Sequence, residues 1–202
     1  AAANLSAFTE TFTGVTVNTS FWANAGEVFK NLAVGQVNKL YLNGTSTGNG
    51  AYALMRTSQM IDVSSDFNLS TTVNLTGTST NGGKYEIGLL NGTGSIGCDL
   101  ILDNANQLTL RADNSSGTKN TSSTVSQQEG QLVLTWDNSE QLFTCNFGGK
   151  VVSIQQINPE ANSLLMQLVV GNGDAVNAVV DDLSLVYSLT TATITATDCE
   201  GL

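Results

Sequence analysis

The stretch DFNLSTTVNLTG (66–77) decides the fold class. Phe67, Leu69, Val73 and Leu75 share one parity, and Asn68, Ser70, Thr72 and Asn74 share the other. That is the two-residue period of a β-strand with one face in a core and one in water. Outward from it, strand signals recur along the chain at 7–14, 37–44, 51–57, 84–92, 98–103, 107–113, 131–137, 141–149, 150–157, 163–171 and 179–187. Between them lie turn clusters such as GTSTGNG, GTSTNGG, DNSSGTKNTSS, NFGGK and GNGD, which supply Gly, Asn and Asp where the backbone reverses. No helical period and no internal repeat is present, and Pro159 falls in a loop, leaving the ladders unbroken. Many short strands at regular spacing predict an all-β chain, a two-sheet antiparallel jelly-roll sandwich with an additional terminal strand.

The chain has 202 residues, enough for one sandwich domain. Charged residues are 12% of it, far below the usual quarter, and Thr, Ser, Asn and Gly take their place. The net charge is −10 with no basic stripe, so nucleic acid and membrane insertion are not expected. No apolar run approaches the ~20 residues of a bilayer crossing. The opening AAANLS resembles what remains after signal cleavage behind small residues, and a secreted or extracellular surface protein is expected. Eight N-x-S/T sequons, at Asn4, Asn18, Asn43, Asn68, Asn74, Asn91, Asn114 and Asn120, are the candidate sites for covalent glycans.

The order FTETFTG, FW, AYALMRTSQMIDVSSDFNLS, YEIGLL, LILD, LTLRAD, LVLTWDNSEQLFTCNFGGK, VVDDLSLVY resembles a concanavalin A-like (laminin G-like) jelly roll over residues 7–187. The resemblance implies that the F-x-E-x-F-like first strand lies beside the closing V-D-D-L-S-L-like strand, and that LFTCNFGGKVV is a hairpin. Residues 1–187 are therefore assigned to the sandwich and 188–202 to a C-terminal extension.

That family includes glycosidases, lectins and structural modules, so each is tested on residues. Glycoside hydrolysis needs two carboxyls across the scissile bond. The glucanase branch carries an E-x-D-x-E-like strand, which has no match here. Glu86 has no acidic neighbour at i+2 or i+4, Glu10 stands alone, and adjacent Asp181 and Asp182 are read as facing opposite sides. No enzyme is expected. The chain has no His, so Ser-His-Asp relays and His-containing zinc sites are excluded. Its cysteines lack C-x-x-C spacing, and NGTGSIG (91–97) reads as a turn rather than a phosphate loop. No cofactor is predicted. Calcium alone stays open, through Asp103, Asn104, Asn172, Asp174, Asp181 or Asp182. A lectin site wants an aromatic platform ringed by hydrogen-bonding groups. Trp22 and Tyr52 are the expected exposed candidates, with Trp136 half-buried at a strand end.

The terminal stretch LTTATITATDCEGL (189–202) adds a strand pattern beyond the closing strand. Thr191, Thr193, Thr195 and Thr197 make a β-branched face, and Ala192, Ile194 and Ala196 a small apolar stripe. Such a strand folds back, frays, or pairs with a sheet of another copy. AAANLSAF at the N-terminus is the rival donor. Cys98 and Cys145 both read as inward-facing and able to pair, which leaves Cys199 over. The alternative joins Cys199 to one of them. The sequence thus predicts a non-catalytic extracellular structural protein, whose partners are other copies of itself joined through residues 191–197 into a fibre or adhesin-like polymer. The alternative is a carbohydrate-binding, lectin-like module.

Overall fold

The computed structural model describes residues 4–90, 95–103, 106–114, 117–157, 159–160 and 162–188, without the side chains of Asn114 and Asn162. Within them lie β1 (Phe8–Glu10), β2 (Glu27–Phe29), β3 (Leu32–Gln36), β4 (Leu40–Thr45), β5 (Ala51–Ile61), β6 (Phe67–Thr78), β7 (Gly83–Leu90) and β8 (Ser95–Leu102). They are followed by β9 (Gln107–Asn114), β10 (Gly117–Thr124), β11 (Glu129–Asp137), β12 (Leu142–Phe147), β13 (Lys150–Gln155), β14 (Asn162–Val170) and β15 (Ala175–Tyr187). All named strand pairs are antiparallel. One sheet of eight runs β13-β12-β11-β6-β15-β4-β3 with β1 also on β15, and a sheet of seven runs β10-β9-β8-β7-β14-β5-β2. The chain is an all-β, two-sheet jelly roll.

The alternation at 66–77 holds in β6. Phe67, Leu69, Val73 and Leu75 are buried against the other sheet. Thr71 joins them and satisfies its hydroxyl by donating to the Asp181 carbonyl at 3.0 Å. On β15 the inward positions are Val176, Ala178 and Val180, then Leu183 and Leu185. This change of parity is accommodated by a bulge between Asp181 and Ser184, with Asp182 at φ 49°. One extra residue re-aims the second half of the strand at the core. β1 lies on that half, Phe8 opposite Leu185 and Glu10 opposite Leu183, the pairing the resemblance implies. β12 and β13 form the hairpin, turning at Gly148 (φ 57°) and Gly149 (φ 76°), a two-residue reversal with both residues left-handed.

Cys98 on β8 and Cys145 on β12 are joined by a disulfide that ties the two sheets across the core. It spans a sequence separation of 47, for which the chain-entropy model gives about 4 kcal/mol. Cys199 and the strand candidates Thr191–Thr197 lie outside the described residues.

Several expectations are corrected. Trp22 is not exposed: at 1% accessibility it packs face-to-face on Phe12, with ring centroids 6.3 Å apart, and edge-on to Phe21 at 5.0 Å. The loop before β2 folds over the core and buries Trp22 together with Phe12. Trp136 is also buried, its indole N–H donating to the Val63 carbonyl at 2.9 Å. DNSSGTKNTSS is not merely a turn, because Gly117–Thr124 pairs along its whole length with β9. Its uniformly polar side chains suit an edge strand and hide the alternation a half-buried strand would show. β2 and β3 were not foreseen, and the stretch 37–44 becomes a strand only from Leu40, since Asn38 (φ 54°) turns the chain. The described part of the rival N-terminal donor is docked on its own molecule. Leu5 is buried, its N–H donates to the Met60 carbonyl at 2.6 Å, and its carbonyl accepts from Tyr187 Oη at 2.7 Å.

Candidate functional site

Residues opposite one another in a ladder share a face, so the strand registers lay out rows across the outer surface of the seven-stranded sheet. One row runs Glu27, Leu54, Gln167, Glu86, Asp99, Thr109, Ser122. On one side of it lie Arg56, Leu165, Gly88, Gly97, Arg111 and Asn120. On the other side lie Phe29, Tyr52, Val169, Lys84, Ile101 and Gln107.

This face buries charge although it looks away from the core. Glu86 is 0% accessible and Asp99 2%. Gly97, in the next row, is why they can sink into the sheet. A Cβ at Gly97 would collide with the Glu86 carboxylate and meet Asp99 Oδ1 at 3.0 Å. Leu54 and Leu165 are buried on the same face.

Glu86 Oε2 accepts from Lys84 Nζ at 3.0 Å and from Arg111 Nη2 at 3.4 Å, and its Oε1 accepts from Gln167 Nε2 at 2.6 Å. Lys84 Nζ also donates to Asp99 Oδ2 at 2.7 Å. Arg111 Nη1 pairs with Asp113, which accepts a hydroxyl hydrogen bond from Ser95 as well. Burial by itself raises Glu86. The Asp99 carboxyl, Lys84, Gln167 and Arg111 outweigh it and bring Glu86 down to about 2. Burial, then the neighbouring Glu86 charge, push Asp99 well above the ordinary carboxylate range. Two carboxyls side by side do not both ionise readily, so the pair holds one proton between them, carried by Asp99. With that proton in place, Lys84 and Arg111 balance Glu86 and Asp113.

The acid–carboxylate pair resembles a glycosidase's in composition but not in access. General-acid catalysis requires hydrogen-bond reach to the leaving oxygen, and these two carboxyls are enclosed. What the face offers to a ligand lies around them. Phe29 and Tyr52 stack with centroids 5.6 Å apart, Phe29 is 47% exposed, and Lys30 Nζ sits 5.0 Å from its ring. The hydroxyls of Thr109 and Ser122 are 2.8 Å apart, Arg56 pairs with Glu27 at 2.8 Å, and Asn120 is exposed beside Arg111.

Of the aromatic candidates, Tyr52 is on this face and Trp22 is not. The sequence reading found Glu86 but not its partner, because Asp99 is its neighbour across the β7–β8 ladder rather than along the strand. The available signal was that Glu86 and Asp99 both occupy the polar parity of consecutive strands; the stretch 91–97, expected to be a turn, is strand from Ser95 onward. Among the described residues no group of three or more His, Cys, Asp or Glu side chains is placed to hold a metal. The Asp174 carboxylate is taken up by protein donors, and Asp181 lies 3.9 Å from Lys39. Asn104 lies outside the described residues.

The sequons divide between the faces. Asn68 is exposed and Asn74 half-buried on the outer face of β6. Asn43 on β4 donates to Asn177 Oδ1 at 3.3 Å. Asn4, Asn18 and Asn120 are exposed, and Asn18 Oδ1 accepts from the Ser20 amide at 3.1 Å. Asn91 and the Asn114 side chain lie outside the described set.

No family model and no curated protein sequence matches the chain. Solved structures do. The chain is similar to a Bacillus licheniformis β-glucanase at 13% identity and TM-score 0.67, covering 92% of this chain and 99% of that one. It is similar to lectin UEA-II, solved with galactose, at 9% identity and TM-score 0.63, covering 93% and 100%. It is similar to the carbohydrate recognition domain of Emp47p at 13% identity and TM-score 0.55, covering 88% and 95%. Enzymes and lectins thus occur among the neighbours at like identity, and what they share with this chain is architecture. Two antiparallel sheets in this order, with the first strand on the last and neighbours of this kind, make the fold a concanavalin A-like jelly roll.

Proposed function

We propose that the chain is a non-catalytic, extracellular carbohydrate-binding module that takes its glycan on the outer face of the seven-stranded sheet. The observation that carries the reading is a stacked, part-exposed Phe29–Tyr52 platform on β2 and β5 with the Glu27–Arg56 ion pair on the same two strands. Sugars combine apolar ring faces with many hydroxyls, so an aromatic surface beside fixed donors and acceptors complements them. The similarity to lectins supports the same reading. Enclosure of Glu86 and Asp99 favours binding without hydrolysis. The inter-sheet disulfide and the sequons suit an oxidising, secreted setting, with covalent glycans. The described residues carry no observation in favour of assembly with other copies of the chain through a terminal strand.

A glycan array on the intact chain tests this, followed by titration of the best polysaccharide. Tyr52→Ala and Phe29→Ala are each expected to weaken binding about 10-fold or more, within the range of one lost stacking contact. Incubation with the bound polysaccharide should release no reducing ends. Released ends, or binding indifferent to both substitutions, would refute the reading.

A further inference from the structure

We propose that Lys84 and Asp99 join in an intramolecular amide bond, with Glu86 as the proton relay. The three groups are gathered on one face of two neighbouring strands. Lys84 and Glu86 are two residues apart on β7, and Asp99 is opposite Glu86 on β8. Lys84 Nζ lies 2.7 Å from Asp99 Oδ2 and 3.0 Å from Glu86 Oε2, so nucleophile, electrophile and base are already within reach of one another. No donor from another residue reaches the buried Asp99 Oδ1, which leaves the proton shared with Glu86 to satisfy the pair. Gly97 beneath supplies the space in which the carboxyls sit.

The chemistry balances without any outside reagent. A carboxylate anion resists attack, but Asp99 is the member of the acid pair that holds the proton. The Glu86 carboxylate takes one proton from the Lys84 ammonium 3.0 Å away, an uphill step because each charge stabilises the other, and this leaves three neutral groups for the attack. The freed electron pair on Nζ then attacks Asp99 Cγ, and the C–N bond forms. Glu86 gives its proton to the departing hydroxyl and takes the second proton from Nζ. The C–O bond breaks and one water leaves. Ammonium, carboxylic acid and carboxylate have become amide, water and a protonated Glu86. The bond would staple β7 to β8, independently of the glycan reading.

Intact mass measurement of the reduced, denatured chain decides the matter. The expected mass is one water below that of the sequence, and a digest should yield one branched species holding Lys84 and Asp99. Lys84→Arg keeps the positive charge but supplies no amine, and should return to the full sequence mass while keeping the β-sheet circular dichroism of the parent. Glu86→Gln removes the relay and should leave most of the chain unbridged. A parent chain at full mass would overturn the proposal, as would a water loss confined to one unbranched peptide. A bridge that forms as completely in Glu86→Gln would overturn the role of Glu86.

Discussion

Asp174 and Asp99 are aspartates buried to nearly the same degree, 4% and 2% accessible, yet their surroundings drive them to opposite states. Asp174 sits where the loop before β15 meets the loop between β6 and β7. Its carboxylate accepts from the amides of Thr80 and Asn81 at 3.2 and 3.1 Å and from the hydroxyls of Thr80 and Ser79 at 3.1 and 3.2 Å. Burial pushes it up, but those neutral donors outweigh it and hold the carboxyl below its ordinary value. Asp99 has a cation beside it but also an anion, Glu86, and it keeps its proton. Peptide amides aimed at an oxygen favour charge with no charged partner, whereas a second carboxylate at contact distance cancels the benefit of a lysine.

The comparison can be broken from either side. Glu86→Ala should have the largest effect, about 3 kcal/mol of lost stability in chemical denaturation, because it removes the buried carboxylate on which Lys84, Arg111 and Gln167 converge and leaves the Gln167 amide without its acceptor. Asp174→Ala should cost less, about 2 kcal/mol by the same measurement. It leaves neutral donors unpaired in loops that water reaches more easily. A loss from Asp174→Ala exceeding that from Glu86→Ala would reverse the ranking.

The smallest effects are those of pH, and they differ in sign. In a Lys84→Arg background, where the acid pair stays free, Asp99 has a folded pKa above its unfolded one. Its contribution is whole below the ordinary carboxylate value of about 4 and declines as pH rises from there toward the raised folded value. Asp174 is depressed, so its contribution is present above about 4 and lost as pH falls below it. Melting temperature against pH should therefore lose its acid-side drop in Asp174→Asn and its decline above pH ~4 in Asp99→Asn. Parallel curves for the two variants would contradict the opposite protonation states.

How much of this was legible depends on distance along the chain. The β6 alternation, the β12–β13 hairpin and the inward parity of Cys98 and Cys145 are local patterns, and the sheets keep them. Trp22 was misjudged because its segment has no period to read, and what covers it, Phe12 and Phe21, is set by the path of a loop. β10 was missed because an edge strand with no buried side chain has no contrast between its two faces. Glu86 looked isolated since an acid's partner was sought at i+2 and i+4, while in a sheet the nearest neighbour is across the ladder.

The sequence by itself determined the all-β class, the two faces of the long strands and the exclusion of histidine chemistry, since these follow from residue type and a two-residue period. Tertiary structure alone decided that Cys98 meets Cys145, that Asp99 lies against Glu86 over Gly97, and that the N-terminal segment docks beside Tyr187. The reason is register: which residues face one another across strands is set by turn lengths and bulges, and a slip of one position would turn each of these contacts to the opposite face.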